Sequence, residues 1–214
     1  MSEKATGNGS AAGPGIGKDG RTAILDRLRT QRIEAPELPE LSAEQLIQYD
    51  DLVAQFTQAA TGVGAAVHRV ESGEQVQQVL HGLPLFTEAR RVASLAPEYI
   101  AGNTDLRMYD DPHYLKGLDW LVVKGQFGVA ENGAIWMEMS QVTHRACFFI
   151  TQFLVIILSA DELVPHMHAA YDRLGAAVSQ PFGLFLSGPS KTADIEQSLV
   201  LGAHGCRTLT IFLV

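Results

Sequence analysis

The run Leu154-Val155-Ile156-Ile157-Leu158 is apolar without alternation, so a strand formed by it must be covered on both faces. Similar short runs, rich in β-branched or large apolar residues, recur at Ala65–Val70, Arg91–Leu95, Trp120–Val123, Ala134–Met139, Cys147–Ile150, Phe153–Leu158, Phe182–Leu186 and Thr208–Val214. Helical signals lie between them. Leu46, Tyr49, Val53, Phe56 and Ala60 form one amphipathic stripe, preceded by the capping box Ser42/Gln45. Ser72/Gln75 announces a second helix before Val76, Val79 and Leu80. Ser159/Glu162 announces a third before Leu163, Met167 and Ala170. Strands interleaved with helices predict an α/β fold with a mostly parallel sheet flanked on both sides. Between Gly125 and Ile150 strands follow one another without helical spacers, which predicts a hairpin or antiparallel addition.

The 214 residues suffice for one such domain. Residues 1–20 hold six glycines among small polar neighbours, a composition that predicts a disordered tail. Gly13-Pro14-Gly15-Ile16-Gly17 mimics a dinucleotide fingerprint, but no strand precedes it and its last glycine is misplaced. Residues 21–41 read as a short helix, Thr22–Arg32, and an extended linker containing Pro36 and Pro39. The globular domain is expected over residues 42–214.

A net charge of -8 leaves no broad cationic face for a nucleic-acid backbone. No segment approaches the roughly 20 apolar residues of a membrane span, and the polar start Met1-Ser2-Glu3-Lys4 lacks a signal peptide's apolar core, so a cytoplasmic protein is expected. Cys147 and Cys206 are expected to be reduced thiols, and two thiols cannot hold a conventional four-cysteine iron–sulfur cluster. No metal site or cofactor is expected in this chain. His144, His166, His168 and His204 offer imidazoles, but His166 and His168 diverge on a helix and read as surface residues.

Two segments carry chemistry. Ser187-Gly188-Pro189-Ser190-Lys191-Thr192-Ala193-Asp194-Ile195-Glu196 follows a strand and reads as a tight loop entering a helix. Such a loop offers unpaired N–H groups to an anion at the carboxyl edge of a sheet. Ser190 and Thr192 add hydroxyls and Lys191 a charge, while the alternative is that these residues cap the helix. Gly202-Ala203-His204-Gly205 then turns into the last strand, with His204 as a base, a ligand contact or a tie for loop carbonyls. In the second segment Asn132-Gly133 favours a hairpin turn holding Glu131 at a strand end, either as a backbone-bonded carboxylate or as a nucleophile or base.

The run Ser187 to Glu196 followed by Gly202-Ala203-His204-Gly205 resembles the C-terminal signature of the LUD-domain family, and in particular its lactate-utilisation protein C group. Glu131-Asn132-Gly133 resembles the family's middle motif, and the likeness extends over residues 43–214. Cys206 stands where a proline often follows His-Gly in the family, and Asn132 where serine or threonine is common. The resemblance implies a three-layer α/β/α fold like that of ribose-phosphate isomerases and coenzyme A transferases. It further implies a place in a system that oxidises L-lactate to pyruvate with iron–sulfur partner proteins, and it assigns no catalytic residue. The expected pocket comprises Gly188, Ser190, Lys191, Thr192, Asp194, His204, Glu131, Asn132 and Gly133, at the carboxyl edge of the sheet, with a small anion such as lactate or pyruvate, or a nucleotide-like molecule, as ligand. Two other roles stay open: a stand-alone transferase or ligase acting on an acyl-coenzyme A or nucleotide, and a non-catalytic assembly subunit.

Overall fold

The computed structural model describes residues 18–31, 37, 39, 41–140, 142–175, 182–192, 200–202 and 205–214. It divides into two units, residues 1–42 and 43–214. In the first, helix α1 (Lys18–Thr30) matches the expected Thr22–Arg32 helix with an earlier start. Most of the glycine-rich stretch, residues 1–17, lies outside the described residues.

The second unit is built on five parallel strands: β1 (Ala66–Arg69), β2 (Val92–Ser94), β3 (Trp120–Lys124), β6 (Phe153–Leu158) and β11 (Thr208–Leu213), in the order β1-β11-β6-β3-β2. β6 is central and pairs in parallel with β11 and β3. Leu154 through Leu158 are all buried, as the unbroken apolar run requires. Leu154, Ile156 and Leu158 face a cluster that includes Phe56 and Ala60 of α2 (Leu52–Gly62). Val155 and Ile157 face the opposite cluster, with Val76 and Leu80 of α3 (Gly73–His81) and Phe86 of α4 (Pro84–Thr87). The sheet is therefore covered on both faces.

A second, four-stranded sheet has the order β7-β4-β5-β8, from β4 (Phe127–Val129), β5 (Ala134–Glu138), β7 (Leu163–Val164) and β8 (Gly183–Leu186). β4 and β5 form the expected antiparallel hairpin, and β8 runs antiparallel to β5. The Phe182–Leu186 run thus joins this mixed sheet and not the parallel one. It is partly exposed, although Phe185 packs on Trp136 with ring centroids 4.9 Å apart. A short ladder, β9 (Lys191–Thr192) with β10 (Val200–Leu201), is antiparallel.

Three local expectations are corrected. Ser42/Gln45 precedes only a 3-10 turn (Ala43–Gln45). The helix starts at Leu52, where the Asp51 carboxylate caps it by accepting the Ala54 N–H at 2.9 Å. Ser159/Glu162 likewise opens a 3-10 turn followed by β7. Pro165 blocks helix propagation there, so α6 (Met167–Leu174) begins only after it, capped by His166. Cys147–Ile150 forms a helical turn, α5, with Cys147 and Phe148 both buried and the Ile150 N–H bonded to the Ala146 carbonyl at 2.9 Å. Ser72/Gln75 starts the helix in a variant of the box: Ser72 Oγ accepts the Gln75 N–H at 3.4 Å, and Gln75 Oε1 reaches one residue past the cap to accept the Glu71 N–H at 2.8 Å.

Ile156→Ala, in the middle of the central strand, is expected to lower unfolding free energy by about 2–5 kcal/mol. Met108→Ala, at a position 79% exposed, is expected to change it by less than about 0.5 kcal/mol. Urea denaturation followed by circular dichroism reads both.

Candidate functional site

The turn Ala130–Gly133 joins β4 to β5. The Gly133 N–H donates to the Val129 carbonyl at 2.9 Å, and Asn132 Oδ1 accepts the Ala134 N–H at 3.0 Å. Gly133 has φ +66°, and a Cβ there would lie 2.6 Å from the Cα of Ala60 in α2. Only glycine satisfies both conditions. Glu131 Oε2 accepts the N–H of Met167, the first residue of α6, at 2.9 Å, and the Glu131 N–H donates to the Pro165 carbonyl at 3.0 Å. The carboxylate therefore ties a turn to a helix start, where negative charge is favoured. That is the backbone-bonded reading of Glu131. Beside it, His166 Nδ1 accepts the Ala169 N–H at 3.1 Å. His166 is 6% exposed, a buried cap in place of the expected surface histidine, while His168 is exposed.

The Ser187–Thr192 segment meets the same turn. Ser187 Oγ–H donates to the Asn132 carbonyl at 2.9 Å. Gly188 has φ +73°, and a Cβ on it would lie 2.6 Å from the Val63 carbonyl oxygen just after α2. Pro189 and Lys191 approach Gly64, each about 3.6 Å from where its Cβ would be. Both motifs thus close on the last turn of α2.

Beyond Pro189 the chain does not enter a helix directly. The Ser190 N–H donates to the Cys206 carbonyl at 2.9 Å and the Ser190 carbonyl accepts from the Gly202 N–H at 3.0 Å, after which Lys191–Thr192 is strand β9. The returning segment satisfies the groups that were expected to be unpaired at a helix start. Ser190 also packs against Gly205, whose Cβ would lie 3.0 Å from that of Ser190. Asp194 and His204 lie outside the described residues, as do Ala193–Leu199 as a whole.

A cavity of about 270 Å³ opens here, lined by Phe148, Phe149, Leu184–Leu186, Ser187–Ser190, Gly205 and Cys206. Phe148 and Phe149 precede β6, Cys206 precedes β11, and Val63 and Gly64 precede β1. The cavity therefore sits at the amino edge of the parallel sheet, and the expected carboxyl-edge position is corrected. The cause is that the preceding strand, β8, belongs to the other sheet. Of the expected residues, Gly188 and Ser190 line the cavity. Asn132 reaches it through Ser187, and Gly133 braces the turn behind it. Lys191 is exposed near Gly64, and Glu131 is turned to α6. Sequence reasoning missed the aromatic wall Phe148–Phe149 and the role of Ser187. Its only signal for the first was an apolar run that reads equally well as a strand.

Burial pushes the Cys206 thiol up, and pushes Cys147 up to about 12, so neither is a thiolate nucleophile near neutrality. Among the described residues no group of three His, Cys, Asp or Glu side chains could hold a metal ion, and no helix is long and apolar enough to cross a membrane.

A covered parallel sheet carrying glycine-locked loops at one edge defines an α/β domain whose distinctive residues are Glu131–Gly133 and Ser187–Gly205. The LUD domain family model matches residues 112–214, which contain both segments. Residues 112–214 are thus similar to the LUD domain. It is similar to three proteins named Lactate utilization protein C. That from Bacillus pumilus is 36% identical over 89 residues, covering 39% of this chain and 37% of the relative. That from a Geobacillus species is 25% identical over 142 residues, covering 61% and 59%. That from Deinococcus radiodurans is 27% identical over 202 residues, covering 90% and 92%. The chain thus spans 37% and 59% of the first two relatives and 92% of the third. A crystal structure of a DUF162 family protein from Deinococcus radiodurans has the same fold, with TM-score 0.56 and 18% identity over 76% of this chain and 96% of that one.

Gly133→Ala and Gly188→Ala are each expected to cost about 1–3 kcal/mol, from positive φ and backbone collision together. Gly62→Ala, at the end of α2 with nothing within 4 Å of a new Cβ, is expected to be neutral or to stabilise by up to about 1 kcal/mol. Denaturant midpoints compare the three.

For the thiols, iodoacetamide at pH 8 is expected to leave both cysteines unmodified in the native protein and to label both after unfolding. Because the folded pKa of Cys147 is raised from the ordinary 9.0 to about 12, its contribution to stability is complete below about pH 9 and is lost as pH rises toward 12. Thermal unfolding across that window reads the trend.

Proposed function

We propose that this chain serves L-lactate utilisation as a component of the system that oxidises L-lactate to pyruvate, working with iron–sulfur partner proteins in the cytoplasm. The observation that carries this reading is the similarity to Lactate utilization protein C along nearly the whole chain, 90% of it in the Deinococcus radiodurans comparison. The two buried cysteines support the division of labour, since four thiolates are the usual holders of a cluster and this chain has two. Electrons from lactate would then pass to centres in the partners.

In the same reading the amino-edge cavity binds a small anion, lactate or pyruvate. Ser190 supplies a hydroxyl donor beside Gly205, and Ser187 fixes the loop to the Glu131–Gly133 turn. Phe148 and Phe149 form an apolar wall for the ligand's methyl end. Lys191, Thr192, Asp194 and His204 complete the proposed binding set. Glu131 acts in it as a positioning residue through the start of α6, a role that speaks against its serving as a nucleophile.

Equilibrium dialysis of the purified chain with radiolabelled L-lactate and pyruvate tests the pocket. Saturable binding of one of them, weakened about 5- to 12-fold in Ser190→Ala and Thr192→Val, is the expected result, in line with loss of a single hydrogen bond of about 1–1.5 kcal/mol. Unchanged affinity in both folded variants would remove the cavity from the reading.

A further inference from the structure

At the opposite edge of the parallel sheet, beyond the carboxyl end of β2, lies a second cleft of about 560 Å³. Its walls come from three parts of the chain: Ser94 at the end of β2 with Leu95 and Pro97 after it, the loop through Leu106 and Arg107, and Thr143.

The loop is held in place by Asn103. Its Oδ1 accepts the Val92 N–H at 2.8 Å, its Nδ2 donates to the Arg90 carbonyl at 3.0 Å, and its backbone N–H donates to the Val92 carbonyl at 2.9 Å. The cleft therefore has a built floor. Arg107 is oriented in turn by Asp105, with Nε on Oδ1 at 2.9 Å and Nη2 on Oδ2 at 2.8 Å. These bonds hold the Asp105 carboxyl down at about 2, so it is ionised at neutral pH. A guanidinium has five N–H donors, and this fork uses two of them. The Arg107 side chain is 80% exposed, so the other edge of the plane is open to an incoming oxyanion. Ser94 Oγ accepts the Ala96 N–H at 3.2 Å, which leaves its own O–H to donate, and Thr143 brings a second hydroxyl. The lining thus brings donors from three separate segments, with the Asp105 carboxylate of the fork among them. Across from them, Leu95, Pro97 and Leu106 offer an apolar wall. A three-carbon acid would fill only a small part of this volume, whereas pockets of a few hundred Å³ take ligands of nucleotide size.

We infer that this carboxyl-edge cleft binds a mononucleotide-sized organic phosphate, its phosphate on Arg107, Ser94 and Thr143 and its planar base against Leu95 and Pro97. The site is separate from the amino-edge cavity and does not depend on what binds there.

The test is equilibrium dialysis of the full chain with adenosine 5′-monophosphate, with adenosine as the uncharged control. Saturable one-site binding of the monophosphate is expected. Arg107→Gln should weaken it tenfold or more while leaving adenosine binding unchanged, Thr143→Val should weaken it several-fold, and Ser190→Ala should leave it as in the parent chain. Absence of saturable binding, or equal affinity in the parent chain, Arg107→Gln and Thr143→Val, would overturn the assignment. Lactate dialysis with Arg107→Gln keeps the two sites apart, because its affinity for lactate should not change.

Discussion

The last turn of α2 is the surface on which the domain's distinctive loops are assembled. Phe56 and Ala60 are fully buried against the central sheet, so the helix cannot move without disturbing Ile156 and Leu158. Gly133 and Gly188 then press their backbones onto that fixed end, each at positive φ and each where a Cβ would fall about 2.6 Å from helix or post-helix backbone atoms. Close packing of backbone on backbone leaves no room for a methyl group, and this is why two loops 55 residues apart, joined by Ser187 and Asn132, hold one arrangement.

Much of this order is written locally. The unbroken run in β6 called for cover on both faces and received it. Ser72 with Gln75 set the start of α3, and Asn132-Gly133 produced the hairpin turn with Glu131 bonded to backbone. Other features depend on partners far away in sequence. Nothing in Phe182–Leu186 states that it will pair with β5 instead of joining the parallel strands, and that single choice moves the following loop from the carboxyl to the amino edge. The Ser190 N–H and carbonyl were expected at a helix start but are taken by Cys206 and Gly202, contacts that local periodicity does not encode. His166 read as a surface group because its capping role depends on Pro165 stopping the preceding turn.

The two edges of the sheet carry different chemistry. At the amino edge, hydroxyls and an aromatic wall surround a cavity of about 270 Å³, a scale suited to a small acid. At the carboxyl edge, Arg107 oriented by Asp105 faces a cleft about twice as large. In the proposed role this chain would hold a small substrate while redox centres reside in partner proteins.

The most direct measurement of that role is growth of a strain lacking this gene on L-lactate as sole carbon source, with pyruvate as the control and the restored gene as the check. Loss of growth on lactate alone, recovered on restoration, is the predicted result. Normal growth on both carbon sources would contradict a function in lactate utilisation.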